Sequence, residues 1–103
     1  MTTFQDGPAK GRTLALALSP KLLRVTECRG EFDALDRWED EARPDEMVYA
    51  YVLAVHLGTC HINRGRKGSG WYQIAEYRML HPQPPIAVMR SNVEWARWCE
   101  SHL

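Results

Sequence analysis

Residues 46–57 constrain what this chain can fold into more than any other stretch. From residue 47 the sequence runs Met-Val-Tyr-Ala-Tyr-Val-Leu-Ala-Val-His-Leu, apolar at nearly every position. Val48, Tyr49, Tyr51, Val52 and Val55 are β-branched or aromatic, side chains that pack well on a pleated surface. A helix can also be drawn here, with Asp45 as N-cap and Gly58 as C-cap. The residue types favour a strand, and apolar side chains on both faces make it a central one. If the segment were helical, the whole architecture would change with it.

The flanking segments carry shorter periods. Leu14, Leu16 and Leu18 alternate with Ala15 and Ala17, which predicts a strand over 12–18, bounded by Gly11 and Pro20. Residues 21–26 read as a second strand, with Leu23 and Val25 on one face. Phe32, Leu35 and Trp38 are spaced by three, which predicts one or two turns of helix ended by Pro44. Gly58-Thr59 is a hairpin-turn candidate, with residues 60–64 pairing back as a short strand. Residues 71–80 alternate again: Trp71, Gln73, Ala75, Tyr77 and Met79 share one face, and Tyr72, Ile74, Glu76 and Arg78 the other. Residues 81–85 hold three prolines and form a rigid connector. Ser91 and Glu94 fit a capping box. Trp95, Trp98, Cys99 and His102 then fall on one helical face, so residues 92–102 are an amphipathic helix that plugs two tryptophans onto the sheet. Residues 1–11, with two glycines and a proline, read as a loop or extended arm with Phe4 tucked in. The expected fold is α+β: a small antiparallel sheet or open barrel of about five strands, with a C-terminal amphipathic helix packed on it. At 103 residues, with no internal repeat or dividing linker, residues 1–103 make a single domain.

Charge is balanced in total but not along the chain. There are 13 Lys and Arg and 13 Asp and Glu. Nine of those acids, against three arginines, lie in residues 27–46, so the remainder carries a net charge of +6. A zero net charge argues against gripping nucleic acid through overall charge. The acidic block and the basic remainder could form two opposed surface patches, or the block could be a solvated loop. The three cysteines, at 28, 60 and 99, are odd in number and far apart. With no basic, apolar leader at the N-terminus, they read as free thiols in a reducing cytoplasm. No apolar run approaches the roughly 18–20 residues of a membrane helix, so no membrane partner is expected.

The sharpest local feature is Arg64-Gly65-Arg66-Lys67-Gly68-Ser69-Gly70-Trp71-Tyr72. Arg64, Arg66 and Lys67 can meet phosphates, and Trp71 and Tyr72 can stack on bases. The spacing matches neither a Walker A loop nor Gly-x-Gly-x-x-Gly. A solvated hairpin loop, with Trp71 leading a strand into the core, is the plainer account. Tyr49, Tyr51, Glu76 and Tyr77 are candidates for a pocket on a curved sheet, with core packing as the simpler role for the tyrosines. Cys60 and His61, with His56 across the supposed turn, cannot both ligate zinc without a bend, because adjacent strand residues point to opposite faces, and no family-type signature marks Cys60 with His56 or His61 as a thiolate pair. His81 and His102 have no spacing that adds to them. Asp33, Asp36 and Asp40 fall at helical spacings without a calcium-loop pattern. No catalytic residue, metal or cofactor is assigned.

Asp6-Gly7-Pro8-Ala9-Lys10-Gly11, Leu22-Leu23-Arg24-Val25 and Asp33-Ala34-Leu35-Asp36 resemble short proteins of unknown function in bacterial mobile DNA: phages, prophages and gene cassettes. So do Val48-Tyr49, Gly70-Trp71-Tyr72, Ala75-Glu76-Tyr77-Arg78 and Trp95-Ala96-Arg97-Trp98-Cys99. The resemblance spans most of the chain and implies a bacterial, cytoplasmic setting and an accessory role. The function expected is therefore a non-enzymatic accessory module that recognises a protein partner, with a homodimer as one form. Charge asymmetry and abundant Trp, Tyr and Arg suit such an interface. Nucleic-acid binding through residues 64–67 and the flanking aromatics is the second expectation. Small-molecule binding or catalysis in a pocket of the sheet is the third.

Overall fold

In a computed structural model describing residues 1–35, 41–62 and 70–103, the apolar run is a strand, and one longer than the run itself. The elements in order are β1 (Thr2–Phe4), β2 (Thr13–Leu14), β3 (Leu22–Cys28), β4 (Glu31–Ala34), β5 (Met47–Ile62), β6 (Gly70–Met79), α1 (Ile86–Arg90) and α2 (Asn92–His102). The strands form one sheet in the order β2-β1-β6-β5-β3-β4. The expected antiparallel sheet of about five strands is close to this: among the described residues the sheet has six strands and is mixed, because β1 runs parallel to β6 while the other pairs are antiparallel. It curls until its edges approach, with the Arg12 guanidinium beside β2 lying 5.2 Å from the centre of the Phe32 ring on β4. Among the described residues no helix is long and apolar enough to cross a membrane.

The two faces of β5 explain its apolar run. Tyr51, with Tyr49 and Leu53 at its sides, packs with Leu23 and Val25 of β3, Ala75 and Tyr77 of β6, and Phe4 of β1. Val48 and Ala50 face the other way, against Met89 of α1 and Trp95 of α2. Both faces of this half of β5 are covered, as a central strand requires. On the helix side Arg24 is only 3% exposed. Its Nη1 donates to the Met89 carbonyl at 3.0 Å and its guanidinium lies 5.5 Å from the Trp95 ring, tying β3 to the helices. Beyond the end of β6, the Gln83 carboxamide continues the ladder, accepting from Ala50 N–H at 2.8 Å and donating to the Ala50 carbonyl at 2.9 Å.

Several expected boundaries move, each for a local reason. The strand expected over 12–18 is regular only at Thr13–Leu14, because its partner β1 is three residues long. Leu16 is still buried, but Leu18 is exposed. Phe32 sits in β4 instead of the expected helix, and Trp38 lies outside the described residues. Register pairs Cys28 with Glu31, leaving Arg29 and Gly30 as a two-residue turn with φ of 53° and 83°. Positive φ at both turn positions matches the twist of a hairpin and fixes β3 to β4. Gly58-Thr59 is not a turn. The register of β5 against β6 shifts between Leu53 and Val55 and again between His56 and Gly58, where Gly58 takes φ 132°. The glycine thus serves a bulge inside one long strand, and Cys60 pairs with Tyr72 of β6 in place of turning back.

The N-terminal arm closes the core. Tyr51 is fully buried, and its hydroxyl donates to the Asp6 carbonyl at 3.1 Å while accepting from Ala9 N–H at 3.0 Å. Asp6 Oδ1 accepts from Met79 N–H at 2.6 Å, which fastens the arm to β6. The Asp6–Gly11 string is therefore a structural cap over Tyr51.

The C-terminal helix begins where expected. Ser91 Oγ accepts from Glu94 N–H at 3.3 Å, but only this half of the capping box forms. Ser91 N–H donates to Ala87 O at the end of α1, and the Glu94 carboxylate pairs with Arg97 at 3.5 Å. Ser91→Ala should lower stability by about 1 kcal/mol, the usual worth of an N-cap, and a urea melt would read it. Only Trp95 of the two expected plugs reaches the cluster on the sheet.

Candidate functional site

The long strand β5 has two unlike ends. At its start, register sets Glu27 opposite Met47 and so brings the β3–β4 hairpin alongside. Glu27, Glu31, Asp33, Asp45 and Glu46 gather there with Arg29 and Arg43. A recess of about 520 Å³ opens among them, lined in part by Thr26, Cys28, Phe32 and Asp33. Arg43 pairs with Glu46 at 3.5 Å. Cys28 Sγ lies 3.6 Å from Asp45 Oδ2. Partial burial and then the Asp45 carboxylate push this thiol above its usual value, which keeps it protonated and a poor nucleophile. Tyr49 donates to Glu27 Oε2 at 3.4 Å, and burial followed by that carboxylate raises its phenol.

At the far end, β5 and β6 run on as a two-stranded ribbon to the pair Ile62–Gly70. Arg64, Arg66 and Lys67 of the basic string lie outside the described residues, and Trp71 and Tyr72 lie at the start of β6. Register places His61 opposite Trp71, and their rings meet edge to face, 5.1 Å apart and inclined at 60°. Trp71 is 65% exposed at the start of a strand that reaches the core at Ala75 and Tyr77. The core face of β6 begins two positions later. Gln73 N–H and Nε2 donate to the carbonyls of Leu16 and Ala17, at 2.8 and 3.1 Å, and Gln73 Oε1 lies 2.6 Å from His56 Nε2. These bonds brace the base of the ribbon and hold the Trp71–His61 pair just beyond it.

Three of the pocket candidates, Tyr49, Tyr51 and Tyr77, share one core cluster, and Glu76 stands apart from it. Tyr51 and Tyr77 are fully buried, with both hydroxyls bonded to backbone, and Glu76 points to the opposite face, where its carboxylate accepts from Gln5. Cys60 and His61 part to opposite faces as expected. His61 meets Trp71, and Cys60 Sγ lies 4.0 Å from the Met1 amino group. Among the described residues, no three His, Cys, Asp or Glu gather to hold a metal ion.

The helical spacing of the C-terminal aromatics also builds one arrangement besides packing. Trp95, Trp98 and His102 form a column of near-parallel rings, 5.7 and 3.9 Å apart between centroids. Trp98 and His102 line a recess of about 370 Å³ against Pro82, Pro84 and Pro85. A second groove, of about 530 Å³, runs between Leu22, Leu35 and the Val93–Arg97 face of α2.

No known protein family, curated protein or solved structure matches the chain.

Proposed function

We propose that this chain is a non-enzymatic accessory module that recognises a protein partner. The observation that supports this reading is the separation of charge along β5. Five carboxylates and two arginines cluster at its start, and no carboxylate occurs from Met47 to Ala75. Complementary potentials of this kind steer association and fix orientation more than they add affinity. The partner that fits the acidic end presents a basic surface, and a second copy of the chain is one such partner. The accessory role in a bacterial cytoplasm, implied by the resemblance to mobile-element proteins, belongs to the same proposal.

The test is sedimentation at low and high salt together with affinity capture, using the wild type and the Glu31→Lys/Asp33→Lys double variant. Both positions are exposed, so the variant keeps the fold. The expected outcome is a salt-sensitive complex, of two copies or with a captured protein, weakened at least about tenfold by the reversal of charge. A chain that stays monomeric and retains nothing that the double variant loses overturns the proposal.

A further inference from the structure

We infer that the far end of β5 pairs edge to edge, antiparallel, with the same segment of a second copy of the chain. This goes beyond the protein-recognition reading and does not rest on it, because the acidic start of β5 takes no part. The direction of the backbone groups shows the edge. Gln73 and Ala75 donate their N–H groups to Leu16 and Met1, and the Tyr77 carbonyl accepts from Gln5, so these residues of β6 turn their backbone away from β5. Their partners across the ladder, Thr59, His56 and Leu53, therefore turn theirs away from β6, and His61 opposite Trp71 follows in the same alternation. The outward N–H of Leu53 still finds the Lys21 carbonyl, at 2.9 Å, just past the first pair of β3, Leu22 with Val52. Beyond it, no described residue bonds to the outward backbone of Thr59 or His61. Both residues are exposed. Edge strands are normally blunted by lysine or other charges, by proline or by bulges. From Met47 to Ile62 there is no Lys, Arg, Asp, Glu or Pro. Both register shifts of β5 end at Gly58, and the pairing from there to Ile62 is regular, so the open edge is uninterrupted.

The same residues select a second copy as the occupant. An acidic or basic peptide finds no charge on this strand to match. A copy laid antiparallel, with Cys60 on the two-fold axis, meets no like charge and is self-complementary. Thr59 and His61 of one copy then exchange backbone bonds with His61 and Thr59 of the other. Cys60 lies opposite Cys60, and Ile62 opposite Gly58, in pairs without mutual bonds, where side chains come closest. An added Cβ at Gly58 would have nothing within 4 Å, so the glycine leaves the space that the facing Ile62 side chain fills. Glycine inside a strand commonly marks such a close approach. A two-stranded ribbon is marginally stable alone, and the pairing builds both ribbons into one continuous sheet. The contact is short and buries less than the roughly 1,200 Å² of a standard interface, so the dimer forms at high protein concentration and dissociates on dilution.

The experiment is sedimentation equilibrium over a concentration series at low and high salt, with diamide cross-linking as a second readout. The wild type should pass from monomer to dimer as concentration rises. Salt should not dissolve the dimer, because no ion pair holds it. Thr59→Lys/His61→Lys sets ammonium groups against one another across the axis and should weaken association by about tenfold or more. Both positions are exposed, so this variant should melt with the wild type. Glu31→Lys/Asp33→Lys should dimerise as the wild type does, which separates this contact from the acidic end. In a Cys28→Ser/Cys99→Ser background the two Cys60 residues, about 4.5 Å apart between Cα atoms, stand within disulfide reach. Diamide, as oxidant, should take two protons and two electrons from the pair of thiols and leave a covalent dimer that Cys60→Ser abolishes. The inference is overturned if the chain stays monomeric at millimolar concentration, or if high salt or Glu31→Lys/Asp33→Lys dissolves the dimer. It is equally overturned if folded Thr59→Lys/His61→Lys dimerises as the wild type does, or if Cys60 does not cross-link.

Discussion

Gly7→Ala should destabilise the chain by about 2–4 kcal/mol, a large share of the roughly 5–15 kcal/mol that holds a domain of this size together. Two independent effects add at this position. Gly7 has φ +71°, and an added Cβ would stand 2.7 Å from the Tyr51 hydroxyl and 2.8 Å from Met79 Sδ. The left-handed conformation alone costs a non-glycine residue about 1–2 kcal/mol. The clash with Met79 can relax at the flexible end of that side chain. The clash with Tyr51 cannot, because its hydroxyl is fixed between Asp6 and Ala9. Gly11→Ala is the control: it has φ +82° but nothing within 4 Å of an added Cβ, so it should lose only the backbone share. In urea melts Gly7→Ala should lie clearly below Gly11→Ala. Equal losses for the two variants would mean that the arm does not close over Tyr51 as described.

Local pattern made β3, β5, β6 and α2 legible, because each is long enough for side-chain type or period to decide its nature. The two faces of β6 fall as the alternation assigns them, with Ala75 and Tyr77 inward and Glu76 outward. The elements that sequence hid depend on distant partners or on single dihedral angles. Nothing in Thr2-Thr3-Phe4 shows that it will pair with Ala75–Tyr77, more than 70 residues away. Gly30 and Gly58 both punctuate the sequence, and only the fold shows that the first makes a turn and the second a bulge. The candidate site was legible in the same partial way. Trp71 stood out as the aromatic flank of a basic string, but its pairing with His61 required Gly58 to be absorbed into β5. Strand alternation does not show where the tyrosine hydroxyls go: those of Tyr51 and Tyr77 bond to backbone, and that of Tyr49 turns toward Glu27.

Tyr77 should separate packing from hydrogen bonding, and both from pH. Its ring is fully buried at the centre of the main core, 6.2 Å from Phe4 between centroids, and its hydroxyl donates to the Pro20 carbonyl at 2.6 Å. Tyr77→Ala removes a core aromatic and should cost about 3–5 kcal/mol, enough to leave the chain partly unfolded at room temperature. Tyr77→Phe keeps the ring and loses one hydrogen bond, for about 1 kcal/mol. Burial pushes the phenol up from 10.0 to about 12. The folded state therefore holds this proton more tightly than the unfolded chain does. The contribution is complete below pH 10, falls as pH rises between about 10 and 12, and is lost above that range. Tyr51 is also raised, by burial first, and adds a limb of the same sign. The urea midpoint of the wild type should thus fall steeply from pH 9 to 12. Tyr77→Phe should start lower and fall less, so that the two curves converge. Parallel curves would show that Tyr77 ionises as readily in the folded protein as in the unfolded chain, and would contradict its burial.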